Sequence, residues 1–265
     1  MALSPRVMGI VNVTPDSFFP ESRTTSTDEA IARGRDHLAR GADVVDVGGE
    51  STRPGATPVS EADELARVIP VVAGLAEHGE VSVNTQKEAV ARAAVAAGAR
   101  IINDESCSLM GVAGELGVGY VAMHRLHPTI TPGDATYEDV VAEVSAFLSD
   151  AAERARAAGV RRLWLDPGIG FNKTTAHNLA LLAHLDDLVA LAAGFDASVL
   201  VGTSRKRFLG ELGASPLAVE ERLEGSLASE AWAMLCGVDL VRVHDVAPAV
   251  YARELIARPL SRVGP

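Results

Sequence analysis

The segment RGADVVDVGG, residues 40–49, contains the unit that decides the fold of this chain. In it a glycine ends a predicted helix, and a short run of β-branched residues follows at once. Glycine after a helix adopts the left-handed conformation that lets the chain turn back. The same junction recurs as AGAR at 97–100, AGVR at 158–161 and CGVD at 236–239. Repeated helix-stop, strand-start units are typical of a parallel sheet covered by helices.

Eight β-branched runs alternate with longer segments of helical period along the whole chain. The predicted strands are residues 7–13, 43–48, 81–85, 100–104, 119–124, 162–166, 198–202 and 239–244. The predicted helices are residues 28–39, 61–77, 87–97, 137–158, 175–193, 220–235 and 247–257. We therefore predict an α/β protein, a single-domain (β/α)₈ TIM barrel that occupies residues 1–265. An open doubly wound sheet is the alternative, because strand count alone does not prove closure.

The composition excludes several classes of function. The 265 residues are 48% hydrophobic, which is enough for a barrel core, and the formal net charge is -11. Nucleic-acid binding needs clustered Lys and Arg, so we expect no such partner. The two cysteines, Cys107 and Cys236, lack disulfide or zinc-ligand spacing. No stretch reaches the apolar length of a membrane span, and we expect a cytoplasmic protein without a membrane partner.

Polar residues close the predicted strands. In a parallel barrel these carboxyl-terminal ends and the loops after them form the active-site face. The residues concerned are Asn12, Asp46, Asn84, Asn103, His124, Asp166, Ser204, Lys206, Arg242 and His244. Buried polar groups cost free energy unless they are paired, so their convergence predicts a binding site. For any one of them alone, a hydrogen-bonded structural residue remains the alternative.

The residue types indicate a planar ligand. Asn84, Asn103 and Asp166 offer donors and acceptors that suit the edge of a nitrogen heterocycle. Lys206 lies in VGTSRKRFLG, residues 201–210, at a predicted helix start where an anion or a ring oxygen could bind.

A second group of residues indicates a phosphate or diphosphate. Arg242 and His244 are two residues apart on one strand and therefore share a face. The alternative for Arg242 is a structural ion pair with Asp245 or Glu220. Because no zinc-type spacing occurs, the metal that fits is Mg²⁺, held mostly by a substrate diphosphate and one side chain such as Asn12. The irregular segments 19–27, 53–60 and 125–136 are predicted to be loops over the site.

Seven strings of this chain, in order, resemble the signatures of the dihydropteroate synthase family. They are VMGIVNVTPDSF (7–18), DVGGESTRPGA (46–56), IIND (101–104), LDPGIGF (165–171), VGTSRKRFLG (201–210), ERLEGSLA (221–228) and VRVHDV (241–246). The resemblance covers nearly the whole chain. It implies a folate-pathway enzyme, a sulfonamide target, that joins 6-hydroxymethyl-7,8-dihydropterin diphosphate to p-aminobenzoate by a dissociative mechanism, with Mg²⁺ and as a homodimer.

The resemblance also implies roles for individual residues. The pterin would be held by Asn84, Asn103, Asp166 and Lys206, and the diphosphate by Asn12, Arg242 and His244, with Asn12 as the metal ligand. The p-aminobenzoate pocket would be bordered by Phe18, Thr52, Arg53, Pro54, Phe171 and Ser204. The groups expected to act in catalysis are Lys206, Arg242, His244 and Asp166.

Two departures from the family pattern bear on activity. The third strand of the family usually ends in Asp, where this chain has Asn84, and the loop after Phe18 carries Pro20 where the family tends to have glycines. We expect a lower rate, altered loop closure, and reduced sulfonamide sensitivity or a different acceptor amine. Two other functions remain open: a methyltetrahydrofolate corrinoid methyltransferase, and a pterin-binding homologue with impaired turnover and a binding or regulatory role.

Overall fold

Eight parallel strands form a closed barrel in the computed structural model, which describes residues 5–13, 26–51, 58–126 and 136–258. The strands are Arg6–Asn12 (β1), Val44–Gly48 (β2), Glu80–Asn84 (β3), Ile101–Asp104 (β4), Gly119–Met123 (β5), Leu163–Asp166 (β6), Ser198–Val201 (β7) and Leu240–Val243 (β8). Each strand pairs with the next in the sequence, and β8 pairs with β1. The predicted (β/α)₈ barrel is therefore confirmed, and the open sheet is excluded.

Ten α-helices are found in the described residues. They are Thr27–Ala39 (α1), Glu61–Leu75 (α2), Glu88–Ala96 (α3), Met110–Leu116 (α4), Val140–Ala157 (α5), Thr175–Ala183 (α6), Leu185–Gly194 (α7), Arg207–Gly210 (α8), Leu223–Leu235 (α9) and Val246–Ala257 (α10). The four predicted glycine junctions have positive φ, at Gly41, Gly98, Gly159 and Gly237. Among the helices of the described segments, none has the length and apolar character needed to cross a membrane.

Three features of the helices differ from the sequence prediction. The segment 175–193 is two helices, because His184 leaves the helical conformation with φ -114° and ψ 27°. The segment 220–235 begins with a 3-10 turn at Val219–Glu221, and its α-helix starts at Leu223. Helices α4 and α8 were not predicted, since both are short.

The strand residues divide between two apolar layers, as the twofold alternation of a strand requires. One cluster lies inside the barrel and consists of Met8, Val44, Ile101, Val121, Trp164, Leu200 and Leu240. The strand residues that alternate with these, such as Val45, Val83 and Val241, pack outward against the helices in a second, larger cluster. On each strand with a member of the inner cluster, the residue two positions after that member, towards the carboxyl end, also faces inward. These residues include Asp46, Asn103, Asp166 and Arg242. The inner apolar cluster thus supports a polar layer at the carboxyl-terminal mouth of the barrel.

Candidate active site

Asp46 is the centre of the polar layer. Its side chain is fully buried, and Oδ2 accepts hydrogen bonds from Arg242 Nε at 2.7 Å and from Asn103 Nδ2 at 3.1 Å. These contacts join β2, β4 and β8. They hold the Arg242 guanidinium and the Asn103 amide in fixed orientations, as a preorganised site requires.

Arg242 does not pair with Asp245 or Glu220, the two partners considered for it from the sequence. Asp245 instead forms a bidentate pair with Arg205, at 2.8 Å and 2.9 Å. The Glu220 carbonyl accepts from Arg205 as well. Arg205 therefore ties the segment after β7 to Asp245 after β8 and to Glu220. Arg242 pairs with Asp46 inside the barrel mouth.

Asp166 and Lys206 lie on the side of the mouth formed by β6 and the β7–α8 connection. Asp166 Oδ1 accepts from the Gly168 N–H at 2.7 Å. Burial raises the pKa of Asp166, and the charge of Lys206 opposes this rise. Burial lowers the pKa of Lys206 to about 8, with Arg242 lowering it and Asp166 raising it. Lys206 is thus mostly an ammonium at neutral pH, but one that loses its proton more readily than a surface lysine.

The helix start that was expected at Lys206 is present but contributes little to the binding of an anion. Helix α8 has only four residues, too few to give a substantial dipole at its N-terminus. The Lys206 Nζ instead donates to the Ile169 carbonyl and lies 4.4 Å from the centre of the Phe171 ring. Any anion or ring oxygen at this point would therefore be bound by the ammonium itself.

His244 follows β8 and contacts Ser204. The backbone N–H of His244 donates to Ser204 Oγ at 3.1 Å, which ties together the segments that follow β7 and β8. Burial and the neighbouring Arg242, Arg205 and Lys206 lower the pKa of His244 to about 3. The imidazole is therefore neutral at physiological pH. It can donate a hydrogen bond to an anion without carrying charge.

Asn12 and Asn84 lie on either side of Gly48. Gly48 is in register with both, across β1 and β3. A Cβ built on Gly48 would lie 3.6 Å from Asn84 Cβ and 3.9 Å from Asn12 Oδ1. The glycine therefore leaves space between the two amides at the mouth. Asn84 is also in register with Asn103, so the β1 to β4 side of the site is lined by amides.

Four of the predicted site residues lie outside the described residues: Phe18, Thr52, Arg53 and Pro54. The predicted loops 19–27, 53–60 and 125–136 also fall largely outside them. The other nine predicted site residues lie in the carboxyl-terminal parts of barrel strands or in the segments that follow them, at the same mouth: Asn12, Asn84, Asn103, Asp166, Phe171, Ser204, Lys206, Arg242 and His244.

An ion pair at the mouth was not predicted. Arg125 donates to Glu105 at 2.9 Å, with side-chain exposures of only 10% and 5%. The Arg125 guanidinium carbon lies 5.6 Å from the centre of the Phe171 ring. Glu105 also raises the pKa of Lys206. The alternation of β4 could have identified Glu105, because it lies two residues after the inward-facing Asn103 and is therefore expected on the same side.

A closed barrel with a buried, mixed-charge cluster at its carboxyl-terminal mouth defines an enzyme of the TIM-barrel class with a site for a small polar ligand. The comparisons with known proteins identify the family. Residues 8–244 match the model of the pterin binding enzymes, and the chain belongs to that family.

The relatives of this chain include several dihydropteroate synthases. The dihydropteroate synthase of Escherichia coli K12 is 42% identical over 97% of this chain and 92% of the relative. A Yersinia pestis dihydropteroate synthase, solved in a sulfonamide drug complex, superimposes with a TM-score of 0.88 at 40% identity and covers 96% of this chain and 93% of that one. The Xanthomonas albilineans enzyme in complex with 7,8-dihydropteroate has a TM-score of 0.82 at 43% identity, with coverages of 96% and 93%.

Proposed function

We propose that this chain is a dihydropteroate synthase, a transferase that condenses 6-hydroxymethyl-7,8-dihydropterin diphosphate with p-aminobenzoate in folate synthesis. The observation that carries the proposal is the buried cluster in which Asp46 holds both Arg242 and Asn103. It joins a group suited to a diphosphate to a group suited to a heterocycle. The near-full-length similarity to dihydropteroate synthases supports the same reaction.

The pterin ring is bound by Asn103, Asp166 and Lys206, with Asn84 beside them. An amide, a carboxyl group and an ammonium together match the alternating donors and acceptors of a pterin edge. The raised pKa of Asp166 indicates a shielded position, where each hydrogen bond to the ring is stronger than it would be in water.

The diphosphate is bound by Arg242 and His244. The C–O bond to the diphosphate breaks first, and the positive charge is delocalised over the pterin before the aromatic amine attacks. Arg242, fixed by Asp46, stabilises the charge that develops on the leaving group. Neutral His244 donates a further hydrogen bond. This route requires no nucleophilic side chain.

Asn12 is the residue that would hold Mg²⁺. Its amide oxygen faces the space above Gly48, and Mg²⁺ prefers oxygen ligands while sharing its shell with substrate phosphates. In the described segments, no cluster of three acidic, histidine or cysteine residues could form an all-protein cage. A single amide ligand is therefore in keeping with the site, and the ion would neutralise charge on the departing diphosphate.

The acceptor amine binds between Phe171 and Ser204, with the predicted contacts of Phe18, Thr52, Arg53 and Pro54 completing the pocket. A relative from Yersinia pestis binds a sulfonamide drug. For this chain we expect weaker inhibition, because Asn84 and Pro20 depart from the family pattern. Inhibition by sulfamethoxazole, measured beside the Escherichia coli enzyme, tests this expectation, and equal inhibition would contradict it.

A binding role without turnover is the second candidate, and Asn84 is the observation that favours it. An amide at this position cannot offer the Coulomb attraction that a carboxylate gives to a pterin cation. A corrinoid methyltransferase is disfavoured, because it would not use the pairing of Arg242 with His244 at a diphosphate site. Labelled p-aminobenzoate separates the synthase from both alternatives, since only a synthase converts it to dihydropteroate.

The proposed assembly is a cytoplasmic homodimer. Helices α9 and α10 pack together and expose four large apolar side chains, Trp232, Leu235, Tyr251 and Leu255. Trp232 is 49% exposed even though its Nε1–H donates to the Leu182 carbonyl at 2.8 Å. A fixed, exposed indole is suited to a protein interface.

A further inference from the structure

Lys173 is a buried cation that has no role in the site described above. Its side chain is only 2% exposed. The Nζ donates to the carbonyls of Gly168 at 3.0 Å and Phe171 at 3.2 Å, and to Nδ1 of His124 at 3.0 Å. An ammonium has three N–H donors, and these three acceptors use all of them.

His124 is held as the acceptor in this arrangement. Burial, together with the charge of Lys173, lowers the pKa of His124 to about 3, so the ring is neutral. The ring also packs edge-on against Phe147, at 4.9 Å between centroids. His124 is therefore a fixed point at the end of β5 against which Lys173 can anchor another segment.

The anchored segment is the tight turn that follows β6. The Phe171 N–H donates to the Gly168 carbonyl at 3.1 Å, and Gly168 has φ +66°. A Cβ at Gly168 would lie 1.9 Å from the His124 carbonyl, so the turn lies directly on the end of β5. At one end the Gly168 N–H contacts Asp166, and at the other the Phe171 ring lies beside Lys206.

We propose that Lys173 is a positioning residue of the acceptor subsite, whose ammonium fixes the turn 168–171 against His124 and thereby sets the Phe171 ring beside Lys206. The inference rests on the proposed synthase function for its kinetic consequence only. A hydrocarbon side chain at position 173 would remove a donor from two carbonyls and leave the Phe171 end of the turn free to shift. Small displacements of a positioning group cost binding and rate.

The ionisation of Lys173 gives this role a distinct signature. Burial lowers the pKa of Lys173 to about 7, with Asp166 opposing and Lys206 adding to the shift. The other groups that face it are His124 and the Tyr137 ring, whose centre is 6.0 Å from Nζ. A neutral amine has two N–H donors for three acceptors. As the pH rises through about 7, one contact is therefore lost and the KM for p-aminobenzoate should increase.

The experiment compares Lys173→Met with the intact protein between pH 6 and pH 9. We expect the variant to raise the KM for p-aminobenzoate about tenfold at pH 6, with a smaller change in the KM for the pterin diphosphate. Its KM should also lack the rise with pH that the intact protein shows. Arg92→Met is the matched control, because Arg92 is an exposed cation paired with Glu88 and Glu115 and should leave both constants unchanged.

Two further variants keep the test decisive if Lys173→Met fails to fold. His124→Leu removes the Nδ1 acceptor and should raise the KM for p-aminobenzoate, whereas His124→Asn, which retains an acceptor near that position, should raise it less. If the intact protein makes no dihydropteroate, hydrogen exchange of the Phe171 amide replaces the kinetics, and it should be faster in Lys173→Met. An unchanged KM profile, or unchanged exchange where the kinetics cannot be measured, would overturn the proposal.

Discussion

Replacing Asp46 by Asn tests whether the buried pair with Arg242 positions the diphosphate site. The amide has the shape of the carboxylate but lacks its charge, and it presents an NH₂ group where two donors now converge. Those donors are Arg242 Nε at 2.7 Å and Asn103 Nδ2 at 3.1 Å. A hydrogen bond to a charged group contributes about 1.5–3 kcal/mol. Because about 1.4 kcal/mol is a tenfold change, kcat/KM for the pterin diphosphate should fall by about 10- to 150-fold.

The assay is steady-state kinetics in which the pterin diphosphate is varied at saturating p-aminobenzoate. In a second series p-aminobenzoate is varied at saturating pterin diphosphate. The KM for p-aminobenzoate should change little, since Asp46 does not contact Phe171 or Ser204. Asp43→Asn is the matched control, because Asp43 directly precedes β2 at the end away from the site and accepts from Arg253 and from the Val7 N–H. If Asp46→Asn stays within about twofold of the intact protein, or Asp43→Asn loses as much, the reasoning is refuted.

Three other outcomes follow from the structure. The kcat/KM for the pterin diphosphate should decline above pH 8, because burial lowers the pKa of Lys206 to about 8, and Lys206→Arg, which stays protonated, should lack this decline. Burial raises the pKa of Glu230 well above its usual value, so above its usual pKa the carboxyl group loses a proton on unfolding and the stability of the fold decreases as the pH rises. Melting curves should therefore give Glu230→Gln a higher Tm than the intact protein at pH 9 but not at pH 5. Trp232→Glu should shift the proposed dimer towards monomer in sedimentation while the monomer stays folded, and an unchanged assembly would exclude this face.

The strands were predictable because their signals are local. A β-branched run marks each strand, and a glycine junction precedes four of them, where Gly98 and Gly159, for example, have the positive φ that the pattern requires. The break at His184 was not predictable. Leu181, Leu185 and Leu188 are all buried, so the apolar spacing continues through the break as it would in one helix.

The composition of the site was more predictable than its contacts. Inward-facing polar residues at the strand ends follow from alternation, which located Asn103, Asp166 and Arg242. The partner of Arg242 is 196 residues away in the sequence, so it depends on closure of the barrel between β8, β1 and β2. Lys173 was missed for a related reason, since its acceptors include His124, which follows β5 and is 49 residues away in the sequence.

The most direct test of the synthase function is product formation by the intact protein and by Asn84→Asp. Asn84 is in register with Gly48 and Asn103 at the mouth, so a carboxylate there would add attraction for a pterin cation. Each protein is incubated with 6-hydroxymethyl-7,8-dihydropterin diphosphate, labelled p-aminobenzoate and Mg²⁺. We predict dihydropteroate from the intact protein and faster formation by the variant. Binding of the pterin diphosphate by both proteins, with product from neither, would contradict the account.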